Sequence, residues 1–161
     1  MWWAFVIGLL SAVAATSQET RPAGGDSDHH AQFARRLSGA KLSGHFTITG
    51  KDLKDLTAEE YHIHEVKKMD EGDYWMFKAR VKYGGRDVTV PMPLEVKWAE
   101  KTPVITLDNV EIPLLGTFSA RVVIDGDRYA GTWSHGDVGG HLFGRIDAGQ
   151  AAEEPAGDSD K

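Results

Sequence analysis

A chain of 161 residues with a formal net charge of −6 and no cysteine excludes several classes at once. Without cysteine there is no disulfide, no thiolate metal site, no cysteine nucleophile and no lipidated N-terminal cysteine. A charge balance this close to neutral gives no reason to expect a nucleic-acid partner.

The first segment, Met1-Trp2-Trp3-Ala4-Phe5-Val6-Ile7-Gly8-Leu9-Leu10-Ser11-Ala12-Val13-Ala14-Ala15, carries no charged side chain, and the chain turns polar at Thr16-Ser17-Gln18-Glu19. A spanning helix needs about 20 apolar residues, so this run is too short to cross a bilayer. It fits the apolar region of a signal peptide over residues 1–15, with Ala12 and Ala14 forming an A-x-A cleavage site, although only the α-amino group supplies positive charge ahead of it. The expectation is a secreted or periplasmic protein after signal peptide cleavage, with a mature form that does not span the membrane.

Residues 16–40 set Arg21, Arg35 and Arg36 against Glu19, Asp26 and Asp28 in a background of Gly, Ser and Ala, and read as a flexible linker. The other end, residues 148–161, has Glu153, Glu154, Asp158 and Asp160 against Lys161, and reads as a disordered acidic tail.

Between them, residues 41–147 alternate short runs of period two with turn signals. The first run sets Leu42, Gly44, Phe46 and Ile48 against polar Ser43, His45, Thr47 and Thr49. Lys51 to Glu60, with Leu53 and Leu56 at helical spacing, suggests one short helical turn. From Tyr74 the inward set is Trp75, Phe77, Ala79, Val81 and Tyr83, opposite the basic row Lys78, Arg80 and Lys82. From Val88 it is Val88, Val90, Met92, Leu94, Val96 and Trp98. Phe118, Ala120, Val122 and Ile124 repeat the pattern, followed by Tyr129, Gly131 and Trp133, then Leu142, Gly144 and Ile146. Gly84-Gly85 and Asp125-Gly126 are two-residue hairpin signals that need positive φ.

The fold expected is all-β: an antiparallel meander of about eight strands forming an up-and-down barrel or a partly open barrel. Pro91 and Pro93 share a parity, so their missing N–H groups fall on one side of the strand. The expectation is therefore a barrel with a gap near Val90 to Leu94, or a sandwich whose strand changes sheet at that point.

Gly44-His45-Phe46 on the first strand and Gly131-Thr132-Trp133 near the end resemble the calycin architecture of lipocalin-like and avidin-like barrels. Those families carry G-x-W on the first strand, where this chain has Phe, so no ligand-binding residue is carried across. The stretch from Tyr129 to Ile146, with Gly131-Thr132-Trp133-Ser134-His135-Gly136-Asp137, is similar to uncharacterised exported proteins of planctomycete-type bacteria, which implies no known activity.

Candidate chemistry is sparse. His62 and His64, two apart on a strand, project from one face and could share a metal ion, with Glu60 on the same face. The alternative is that both line the solvent face while Tyr61 and Ile63 point inward. Asp28-His29-His30 could bind a divalent metal weakly from the expected linker, and the basic row with Lys67 and Lys68 could hold an acidic polymer or head group, or simply face solvent. Asp125-Gly126-Asp127 reads as turn chemistry, since no calcium-loop ligands follow in register. There is no G-x-S-x-G elbow, H-E-x-x-H helix or phosphate loop, and Glu59-Glu60 and Asp70-Glu71 read as acidic residues of connections.

The function expected is therefore that of an exported, non-enzymatic β-barrel domain acting as a structural or interaction module of the cell envelope, with no cofactor. The alternative is a barrel for a small apolar ligand lined by Trp75, Phe77, Tyr83, Met92, Trp98, Phe118, Tyr129 and Trp133, and a second alternative is a metal-dependent enzyme using His62 and His64. Its partner would then be either a small apolar ligand or an envelope component. N-terminal sequencing of exported protein should find a chain beginning near Ala15 or Thr16; an intact Met1 in the membrane fraction would contradict the signal.

Overall fold

The structure, a computed structural model, describes residues 24–149 with the exception of Gly84. The expected signal peptide, residues 16–23 of the expected linker and residues 150–161 of the acidic tail lie outside the described residues. One helix, α1 (Gly24–Leu37), precedes eight strands: β1 (Lys41–Phe46), β2 (Thr57–Lys68), β3 (Tyr74–Tyr83), β4 (Arg86–Ala99), β5 (Thr102–Ile112), β6 (Gly116–Asp125), β7 (Arg128–His135) and β8 (Val138–Asp147). Each strand pairs antiparallel with the next, and β8 returns to β1, closing an up-and-down barrel. The period-two pattern is the cause: Trp75, Phe77, Ala79 and Val81 on β3 and Val90, Met92, Leu94 and Val96 on β4 are all buried inside the wall.

Two strands carry bulges that the alternation does not announce. In β2 the register slips between Ile63 and Glu65, so the inward set passes from Glu59, Tyr61 and Ile63 to Val66. The Val66 amide donates to Ser38 Oγ at 3.0 Å. In β5 the slip lies between Leu107 and Val110, where Asn109 takes a φ of 50° and its amide donates to Ser119 Oγ at 2.9 Å. That break, and the burial of polar Thr106 on the outer parity, hide β5 from a search for alternating apolar residues.

The helix expected at Lys51 to Glu60 does not form. Residues 53 and 54 make a turn in which the Lys54 amide donates to Asp52 Oδ1 at 3.1 Å, and β2 begins at Thr57. Leu53 is 75% exposed, so a helix here would have no apolar face to bury.

The reading of residues 16–40 as a linker is corrected for residues 24–37, which form α1. Phe33, Ala34 and Leu37 follow His30 at the spacing of one helix face, and Phe33 and Leu37 are buried. Arg35 and Arg36 occupy the last turn, where cations complement the helix dipole. Gly39 then takes a φ of 77°, the left-handed conformation that ends helices, and its amide donates to the Ile63 carbonyl at 2.8 Å. The helix is thereby tied to β2 and stacks on the end of the barrel: the Phe33 ring meets Trp75 edge-on at 5.0 Å and Trp98 at 5.6 Å.

The gap expected near Val90 to Leu94 exists as a one-sided ladder, not as an open sheet. Lys78 faces Pro91 and Met76 faces Pro93 across β3 and β4. On its other side β4 pairs with β5 only from Glu95 to Ala99, so the prolines stand where no partner strand needs their missing N–H groups.

Because α1 buries Phe33 to 4% exposure against two tryptophans, Phe33→Ala should destabilise the domain by about 3–5 kcal/mol in denaturant unfolding. A loss below about 1 kcal/mol would show that the helix is not part of the cooperative unit.

Candidate functional site

The barrel interior is not completely filled. A cavity of about 180 Å³ lies inside the wall, with Leu37 of α1 among its lining residues. Phe77, Met92, Phe118, Tyr129 and Trp133, five of the side chains expected to face a ligand, line it together with Leu42, Phe46 and Ile63. Trp75 and Trp98 do not: they face α1, and His30 packs on both rings at 5.3 Å. Trp75 is fully buried there, and its Nε1 finds no acceptor among the described residues. Tyr83 ends β3, and its side chain lies outside those described.

The polar part of the cavity is one that the alternation pattern passed over. Glu59, read from the sequence as part of a connection, sits in β2 with its side chain inward and is 7% exposed. Tyr129 donates its hydroxyl to Glu59 Oε1 at 2.8 Å, and Tyr61 donates to Oε2, also at 2.8 Å. The Tyr129 ring reaches this position because Gly44 and Gly144 face each other across β1 and β8 and Glu59 faces Gly44 across β2. A Cβ on Gly44 would collide with the Tyr129 hydroxyl, and one on Gly144 with the Tyr129 ring. The missing side chains are thus filled by tyrosine and do not enlarge the cavity. The available signal was the parity of Glu59, Tyr61 and Ile63, a carboxyl in an inward series.

Burial pushes the Glu59 carboxyl above its ordinary value of 4.5, while the Tyr129 and Tyr61 hydroxyls and the charge of His45 pull it down. Burial and the neighbouring carboxylate push the Tyr129 hydroxyl up, which keeps it a donor. At the far end Trp133 meets Phe46 edge-on at 5.3 Å and donates its Nε1 hydrogen to the Thr47 carbonyl at 3.2 Å.

The other candidates lie outside the wall. His62 faces outward with Nε2 at 2.8 Å from Glu60 Oε1, whereas His64 falls at the β2 bulge and is exposed. Glu60 also meets Lys41 and Lys82, each at 2.8 Å, and these cations with His62 hold its carboxyl well below the usual carboxylate range. Two ammonium groups beside the pair oppose a metal cation, and among the described residues no group of three or more His, Asp or Glu is placed to hold one. The reading of Asp28-His29-His30 as a segment of the linker is corrected: His29 and His30 belong to α1 and pack against Trp98. In the basic row, Arg80 is paired bidentately with Asp87 at 2.6 Å and Lys82 with Glu60, while Lys68 donates to the Met69 and Gly72 carbonyls at 2.7 Å. Asp125 is an ion-pair partner of Arg128 at a hairpin where Gly126 has a φ of 60°, as turn chemistry requires.

A carboxyl whose pKa is raised by folding makes its full contribution below the unfolded value and loses it as pH rises through the folded value. Glu59→Gln removes that loss, so the melting temperature of the variant relative to the parent should rise as pH is raised above the ordinary carboxylate value of 4.5. An unchanged difference above that value would show that Glu59 does not titrate there. Searches of protein-family models, of curated proteins and of solved structures match nothing to this chain.

Proposed function

We propose that this domain is a binding barrel, exported by its N-terminal apolar segment, that holds one small apolar molecule without acting on it chemically. The observation that carries the reading is the cavity of about 180 Å³ inside a closed wall. An eight-stranded barrel is just narrow enough for side chains to fill it, so an unfilled interior calls for an explanation. A cavity of 180 Å³ costs on the order of 4 kcal/mol at roughly 24 cal/mol per Å³, a large part of the 5–15 kcal/mol that stabilises a typical domain. An apolar cavity of about 150 Å³ admits benzene, which sets the occupant at roughly six to ten heavy atoms. Met92 and Leu94 on β4 and Leu107 and Ile112 on β5, which flank the stretch without ladder pairing, also line the cavity.

A second reading, an interaction module of the envelope, is favoured by the outer row Val123, Ala130 and Phe143. These three align across β6, β7 and β8, with Val123 39% and Phe143 43% exposed.

Titration with benzene, toluene and indole should raise the melting temperature and shift tryptophan emission through Trp133, saturating at one ligand per chain. A ligand at 100 times its Kd adds about 2.7 kcal/mol. Ala120→Leu, which fills cavity space from β6, should abolish that response and leave the fold in place. No change for any of the three ligands would overturn the binding reading and leave the interaction module in front.

A further inference from the structure

The interior of the barrel holds a buried carboxyl that makes no ion pair among the described residues. Glu59 is nine-tenths buried, and its two oxygens each accept one tyrosine hydroxyl at 2.8 Å. Each hydroxyl has a single proton, and both are spent on the same carboxyl; donation to both oxygens favours the ionised form, against the burial that opposes it. An ionised carboxylate accepts about four hydrogen bonds, so roughly two acceptor positions remain.

No lysine, arginine or histidine is ion-paired with Glu59 among the described residues; Lys41, Lys82 and His62 all gather on Glu60, which faces the other side of the same strand. His45, one residue along from Gly44, acts on Glu59 only through its charge from the outer face. The remainder of the cavity, apart from Ser119, is apolar.

Resting on the reading of the barrel as a binding module, we propose that its ligand is a small primary amine, with an apolar body in the cavity and its ammonium group on the Glu59 carboxylate. The ammonium brings the missing positive charge and donors for the open acceptor positions, and a charge-assisted hydrogen bond is roughly twice as strong as a neutral one. An alcohol of the same shape could donate one hydrogen bond but would leave the buried charge uncompensated. An apolar ligand would leave the open acceptor positions of the carboxylate facing hydrocarbon. Shape selects the body and Glu59 selects the head.

The test compares benzylamine, benzyl alcohol and toluene, ligands of nearly equal size, by calorimetric titration of the mature chain near neutral pH. Benzylamine should bind at least about tenfold more tightly than either neutral ligand. Glu59→Gln should lose that preference and still bind toluene, which shows that the variant is folded and its cavity intact. Should the variant fail to fold, the parent protein decides: the pH titration of the Glu59 side-chain carboxyl, followed by its ¹³C resonance, should shift to lower pH with benzylamine and not with toluene. Toluene binding as well as benzylamine, or an amine preference that survives in Glu59→Gln, overturns the amine assignment and leaves the binding barrel standing. Binding of none of the three overturns both.

Discussion

The pairing of β1 with β8 is the contact on which the molecule depends, because it alone turns a meander with two exposed edges into a closed wall. That pairing runs from Lys41 opposite Asp147 to Phe46 opposite Leu142, and at its middle two glycines face each other. Gly44 and Gly144 are needed there because a Cβ on either would meet the backbone of the facing strand as well as Tyr129. The seam that closes the barrel is thus also the place where Tyr129 reaches Glu59. Closure and the polar anchor of the cavity are one arrangement: a side chain at either glycine would disturb the ladder and the hydroxyl together.

The helix solves a different problem. A meander barrel has two ends, and an apolar interior open to water at both would lose much of the benefit of burial. At the end defined by Trp75 and Trp98, α1 supplies Phe33 and Leu37 as a plug, with the rings set edge to face. At the other end Trp133 and Phe46 close part of the opening from within the wall. What remains unfilled lies between the two, in the same space as the Glu59 carboxyl. A void and a buried carboxyl each destabilise a fold, and their coincidence makes little sense as packing. An occupant, in the binding reading proposed above, would remove both penalties at once.

The outer surface shows how an environment can assign different roles to identical residues. Glu59 and Glu60 are neighbours in sequence, yet strand geometry sends one inward to tyrosines and the other outward to two lysines and a histidine. One carboxyl is pushed up by burial and the other pulled down by cations. Read as a pair of acidic residues, they look like the composition of any connection. Only their assignment to a strand separates them, and that assignment was obscured by the apolar Leu53 and Leu56 just before, whose spacing imitates a helix.

Much of the wall was legible because period-two burial is a local property of the chain: the inward series on β3, β4, β6, β7 and β8 can be counted off residue by residue. The consequence of Pro91 and Pro93 was legible for the same reason, since a missing N–H is a local fact wherever its partner strand ends. The bulges in β2 and β5 were not, because a slipped register is decided by the opposing strand and by contacts such as Ser38 with Val66. Nor was α1: its composition resembles that of a linker, and its four-residue face gains stability only when Trp75 and Trp98 stand beneath it. The sequence by itself determined that the chain builds an antiparallel wall with an aromatic inner face. Whether that interior is filled, and where the Glu59 carboxyl stands, depended on the closure of β1 onto β8, a contact between residues about a hundred positions apart that no local pattern encodes.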